Sequence, residues 1–137
     1  MAITGINHIT FAVRELEPAF QFYVEVLGAS PRARWKRGAF LTLGGVWLAL
    51  LEGDAEPVGE GYSHIAFSVS QEDFESVATK LRESAALWSE NQTPGDSIYF
   101  CDPDGHRLEV HASTLEARLD ALEREQPEDY RRFDVAT

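Results

Sequence analysis

A seven-residue pattern occurs twice in this chain, and the repeat limits what the chain can fold into. Asn7-His8-Ile9-Thr10-Phe11-Ala12-Val13 returns as Ser63-His64-Ile65-Ala66-Phe67-Ser68-Val69, with histidine, isoleucine, phenylalanine and valine in register. Each copy alternates with the period of a half-buried strand, so the two histidines occupy equivalent strand positions. Two modules of one design, each presenting a histidine, point to ligands delivered to one place. Neutral imidazole is the commonest protein ligand for borderline metals.

The remaining sequence extends the repeat into two β-α-β-β-β modules. A strand is expected at Gly5 to Val13, then a helix at Glu17 to Leu27 with Phe20, Tyr23, Val24 and Leu27 on one stripe and Gly28 as its stop. Strands follow at Arg32 to Lys36, Ala39 to Leu43 and Val46 to Glu52, the last two joined by Gly44-Gly45. Asp54 to Gly61, rich in Gly, Pro and acid, reads as the linker. The order then recurs: a strand at Tyr62 to Val69, a helix at Gln71 to Ala85, and strands at Leu87 to Glu90, Ser97 to Asp102 and Arg107 to His111. Pro103-Asp104-Gly105 is the final turn. The fold class is thus α+β, one domain over 1–137, with module one about 4–53, module two about 61–112 and a C-terminal helical segment about 114–126.

Composition removes other classes. A formal net charge of −11 repels phosphate backbones, so nucleic acid is not an expected partner. No stretch approaches the roughly 20 apolar residues of a membrane span, and no signal-peptide pattern opens the chain. A single cysteine, Cys101, excludes an intramolecular disulfide and fits the cytoplasm. The hydrophobic run Ile98-Tyr99-Phe100-Cys101 reads as a buried, inert thiol.

Glu109 completes the metal argument. It lies four residues past Gly105, in the middle of a strand, flanked by Leu108 and Val110; Ala49 holds the matching place after Gly45. A mid-strand glutamate needs a partner. Two histidines and a glutamate from three strands, His8, His64 and Glu109, form a facial set that leaves coordination positions open for Lewis-acid or oxygen-activating chemistry. Taken singly, each histidine more often proves a hydrogen-bonded core residue. His106, beside the turn, reads as solvated, and His111 shares the face of Glu109 and reads as a support to it. Gln92-Thr93-Pro94-Gly95-Asp96-Ser97 concentrates carbonyls and hydroxyls that suit a hard cation or an oxyanion, though most such loops are only turns. In the helix Leu115 to Glu125, Arg118 falls on the apolar stripe of Leu115, Leu119 and Leu122. An inward guanidinium wants an anion: an acidic neighbour in the bland reading, a phosphonate or carboxylate ligand in the functional one.

Together these residues resemble the vicinal oxygen chelate superfamily, and within it the FosA-type fosfomycin resistance proteins, which are metal-dependent glutathione transferases. The most specific stretches are Asn7 to Val13, Gly44 to Leu50, Tyr62-Ser63-His64, and Gly95 to Phe100 running into Asp102 to Glu109. The resemblance implies cupped mixed sheets and a module-paired homodimer in which His8 of one subunit joins His64 and Glu109 of the other around Mn2+, with Zn2+, Ni2+ or Fe2+ as other candidates. It places Thr10 against the substrate near the epoxide, Tyr99, Arg118 and Thr93 on the phosphonate, and Trp47 and Tyr62 along the pocket. A K+ activator would sit at Thr93, Gly95 and Ser97. Glutathione and a fosfomycin-like epoxide are the implied substrates, and Thr10 in place of a cysteine favours glutathione over bacillithiol. The chain departs from the pattern at Ser89, where a lysine is usual, at Gln92 for arginine and at Phe40 for tyrosine. Three alternatives share the scaffold: a glyoxalase-type isomerase, which would want a ligand at Ala49; an extradiol dioxygenase, which needs a further base histidine; and a metal-free drug-sequestering dimer of the bleomycin-resistance type.

Overall fold

The computed structural model describes residues 2–53, 61–91 and 95–133. Two four-stranded mixed sheets follow one plan. The first has the order β1-β4-β3-β2, from β1 (His8–Val13), β2 (Ser30–Trp35), β3 (Gly38–Leu43) and β4 (Val46–Glu52). The second repeats it as β5-β8-β7-β6, from β5 (Ile65–Ser68), β6 (Ala86–Ser89), β7 (Ser97–Cys101) and β8 (Arg107–His111). In each module the first strand runs parallel to the last and the other pairings are antiparallel.

Alternation sorts the side chains. Phe11, Val13, Ala39, Leu41, Leu48 and Leu50 of the first sheet point to a core that continues through Ile98, Phe100, Leu108 and Val110 of the second. Helices α1 (Leu16–Gln21) and α2 (Phe74–Ser84) cover this side with Leu16, Ala19, Phe74, Ala78 and Leu81. The opposite faces carry the polar strand positions, among them His8 and Thr10 on β1 and Glu109 and His111 on β8.

The departures from the sequence expectations have local causes. The first helix continues from Gln21 into a π-helical turn at Phe22–Val26, closed by Leu27 N–H donating to the Phe22 carbonyl at 3.2 Å. Gly28, at φ +79°, then lets Ala29 N–H turn back to the Tyr23 carbonyl. The helix begins against a carboxylate from β4: Leu16 N–H donates to Glu52 Oε2 at 2.9 Å. Strand β1 starts at His8 rather than Gly5, because its parallel partner β4 begins only at Val46, one residue before Trp47 and just after the Gly44-Gly45 turn. Strand β5 starts at Ile65, so His64 lies one residue before it, opposite the start of β8.

The modules are latched together. Tyr23 Oη donates to Asp102 Oδ2 at 2.7 Å in the interior. Arg14 pairs with Asp104 at 3.1 Å. His106 Nε2 donates to the Ala12 carbonyl at 2.9 Å and its ring packs on Phe11. His106 is therefore half-buried between the modules, not solvated as its position beside the turn suggested. Helix α3 (Leu115–Glu125) begins where expected, capped by Thr114 Oγ1 accepting from Ala117 N–H. Its inward face differs from the leucine stripe: Leu115 is 71% exposed, and Ala121 is the buried position.

Candidate metal and anion site

His64 and Glu109 meet in the second module. Glu109 projects from β8 and is buried; His64 enters from the segment leading into β5. His64 Nδ1 lies 2.8 Å from the Tyr62 carbonyl, and His64 Nε2 lies 2.9 Å from Glu109 Oε1. A carbonyl only accepts, so Nδ1 carries the hydrogen. In the neutral ring Nε2 then bears a lone pair, and that lone pair faces a carboxylate oxygen. Such a contact is satisfied by a proton on Nε2, as an imidazolium–carboxylate pair, or by a metal cation that both atoms ligate. The donor set, imidazole nitrogen plus carboxylate oxygen, suits a borderline divalent metal.

The third expected ligand belongs to the other sheet. His8 is exposed on β1, its Nδ1 2.7 Å from Asn7 Oδ1 and its ring 4.4 Å from the Trp47 indole. Among the described residues, no three His, Cys, Asp or Glu side chains of one chain converge as a metal site. Thr10 shares the face of His8, two residues along β1, and is exposed. Phe40 packs edge-on against Trp47 at 5.1 Å, extending this wall toward β2.

An aromatic wall also flanks His64. Tyr62, 66% exposed, packs edge-on at 5.1 Å, and Tyr99, in register with Glu109, lies 5.8 Å away. Trp88 completes it, 5.4 Å from the His64 ring and 5.2 Å from Tyr99, held by its Nε1–H donating to the Leu108 carbonyl. Strict alternation along β6 hides Trp88, because a bulge between Leu87 and Ser89 turns it onto the Tyr99 face.

Arg118 sits half-buried on α3, and its Nη1 is enclosed with no hydrogen-bond partner among the described residues. A buried guanidinium nitrogen without an acceptor is costly unless a ligand supplies one. The expected cation loop is only partly described. Thr93 lies outside the described residues; Gly95, at φ +91°, offers a carbonyl that accepts from Asn91 Nδ2 at 2.8 Å; Ser97 Oγ donates to Glu109 Oε2 at 2.7 Å. Cys101 is half-buried rather than fully enclosed, and burial pushes its thiol above the ordinary value. No described helix is long and apolar enough to cross a membrane.

This arrangement has relatives. A family model for the Glyoxalase/Bleomycin resistance protein/Dioxygenase superfamily matches residues 5–110. The chain is 42% identical over 130 residues to the glutathione transferase FosA of Serratia marcescens, covering 91% of this chain and 92% of that protein. It is 39% identical over 134 residues to the metallothiol transferase FosB of Shouchella clausii, covering 92% of each. A crystal structure of a mutant of the fosfomycin resistance protein FosX from Listeria monocytogenes, complexed with Mn(II) and 1S,2S-dihydroxypropylphosphonic acid, is similar with a TM-score of 0.77 at 30% identity. That match covers 85% of this chain and 98% of the FosX chain. With its paired sheets and this level of identity, the chain belongs to the Glyoxalase/Bleomycin resistance protein/Dioxygenase superfamily and, within it, to the fosfomycin resistance proteins.

Proposed function

We propose that this protein inactivates fosfomycin by adding glutathione to its epoxide, using Mn2+ held by His8 of one subunit and by His64 and Glu109 of a second. The observation that carries the reading is the approach of His64 Nε2 to Glu109 Oε1, two acceptors 2.9 Å apart with no hydrogen between them in the neutral ring. When bound, the metal supplies Lewis-acid polarisation of the epoxide oxygen, an effect worth several kcal/mol.

The chain's own groups do the rest. The phosphonate of the substrate answers Arg118 Nη1, which has no partner among the described residues, with Tyr99 and the Thr93 hydroxyl as further donors. Thr10, two residues beyond His8, places its hydroxyl against the epoxide carbons. Trp47 and Tyr62 wall the pocket and exclude water from the reacting centre. Gly95 and Ser97, with Thr93, offer oxygens to a K+ ion beside the phosphonate. The nucleophile is external, because burial keeps the Cys101 thiol protonated at neutral pH. Reaction with a glutathione thiolate places the enzyme in the cytoplasm, where that thiol is held reduced.

Fosfomycin, glutathione and Mn2+ incubated with the protein, with and without K+, should yield a glutathione–phosphonate thioether by mass spectrometry. His64→Ala and Glu109→Ala should each remove tight Mn2+ binding with the fold intact, since each deletes one of three protein ligands. The diol as sole product would make water the nucleophile, and an unchanged antibiotic would end the reading.

A further inference from the structure

We propose that His111 is a positioning residue for Glu109 and acts through the hydroxyl of Ser97. The inference rests on the metal-site reading above and extends it to a histidine which that reading leaves unused. Ser97 and His111 face each other across β7 and β8. Ser97 Oγ is 2.7 Å from Glu109 Oε2 and 2.5 Å from His111 Nδ1, whereas His111 Nδ1 is 3.3 Å from Glu109 Oε2.

The hydrogen count sets the direction of this chain. The Glu109 carboxylate only accepts, and Ser97 has one hydrogen to give. Were that hydrogen spent on His111, lone pairs of Ser97 and Glu109 would face each other at hydrogen-bond distance. Ser97 therefore donates to Glu109 Oε2, and the short contact to His111 is filled by the ring's own Nδ1–H. The relay runs His111 Nδ1–H to Ser97 Oγ–H to Glu109 Oε2. It pins one carboxylate oxygen on the β7 side and turns the other, Oε1, toward His64 Nε2.

Gly95, at φ +91°, lies beside the ring: an added Cβ would come within ordinary contact of His111 Cε1 at 3.5 Å and would crowd Ser113 Cβ at 2.9 Å.

The direction of the relay gives a test specific to one nitrogen. An asparagine amide can present N–H where Nδ1 stands, a glutamine amide reaches the Nε2 position, and leucine offers no donor. Mn2+ affinity, read by the free-ion EPR signal without substrate, should fall about ten-fold to a hundred-fold in His111→Leu and His111→Gln. His111→Asn should stay within about three-fold of wild type, since it retains the donor. Catalytic loss should be recovered at saturating Mn2+, which a general disturbance of the pocket would not allow. Ser97→Ala removes one oxygen and keeps the ring packing, so it carries the test even where a His111 variant folds poorly. It should match His111→Leu, and the double variant should be no weaker than either. Wild-type affinity in Ser97→Ala, equal weakness of His111→Asn and His111→Leu, or additive losses would each overturn the relay. A wild-type chain that binds no Mn2+ is a different failure, of the metal site itself.

Discussion

Arg118 shows at the scale of one residue how a structural cost points to a ligand. Its Nη1 is enclosed with no acceptor among the described residues. Arg118→Ala should lower kcat/KM for fosfomycin by about ten-fold to a hundred-fold, the loss expected from one charged hydrogen-bonding partner. The melting temperature should hardly move, because Nη1 has no hydrogen-bond partner among the described residues for the deletion to break. Arg118→Lys should restore only part of the activity, since an ammonium lacks the planar fork. Unchanged kinetics with a lowered melting temperature would make Arg118 a structural residue. Cys101 gives the complementary case: it lies half-buried with its thiol raised by burial, so Cys101→Ser should retain thiol transfer, and alkylation of the native thiol should be slow at neutral pH. Loss of turnover in Cys101→Ser would make the thiol part of the chemistry. The histidine repeat made His64 legible, and the lone mid-strand carboxylate made Glu109 legible. Trp88 was hidden by the bulge in β6, and His106 by a bond to another module's carbonyl, 94 residues away, which no local pattern encodes.

Elements follow the sequence where hydrophobic period and turn chemistry agree. Strands β4 and β8 and helix α3 occupy their expected spans, each bounded by a strong signal: Gly44-Gly45, Pro103-Asp104-Gly105 and Thr114. Alternation extends the starts of β1 and β5 to Gly5 and Tyr62, whereas pairing begins only at His8 and Ile65, the first residues their parallel partners can meet. The π-turn at Phe22–Val26 was not legible; it is set by the fit of Phe22 and Tyr23 into the core between modules. Tyr23 then bonds Asp102, whose carboxyl burial raises above the ordinary range while the Tyr23 and His106 contacts partly restore it. Folded Asp102 thus binds its proton at a higher pH than unfolded Asp102. Its contribution to stability is present at acid pH and is lost as pH rises through the folded value. Tyr23→Phe removes the donor that eases the ionised form. It should cost about 1–3 kcal/mol by urea unfolding at neutral pH, and the cost should shrink as pH falls and Asp102 takes up its proton. An equal penalty at both would separate Tyr23 from the ionisation of Asp102.

The whole molecule divides the proposed ligands between its two sheets. His8 stands on the open face of β1, His64 and Glu109 belong to the second module, and the Tyr23–Asp102, Arg14–Asp104 and His106–Ala12 contacts fix the modules of one chain against each other. Strands β1 and β5 each have a single neighbour, which leaves two open edges beside the two histidines. Open edges favour pairing with another chain. A two-fold pairing that set β1 of one copy beside β5 of the next would cover both edges and bring His8 to His64 and Glu109 twice per dimer. The shared-site reading predicts subunit complementation. His8→Ala and Glu109→Ala proteins should each be inactive alone. In the hybrid, one site combines the intact His8 of one chain with the intact His64 and Glu109 of the other, while the second site carries both lesions. Random exchange makes half of the dimers hybrid, so activity should recover to about a quarter of wild type. The measurement is turnover of fosfomycin after denaturant-assisted exchange, with hybrid formation verified by differently tagged chains. Hybrids without activity would return all three ligands to a single chain and require the modules to move relative to one another, against the buried Tyr23–Asp102 bond that holds them.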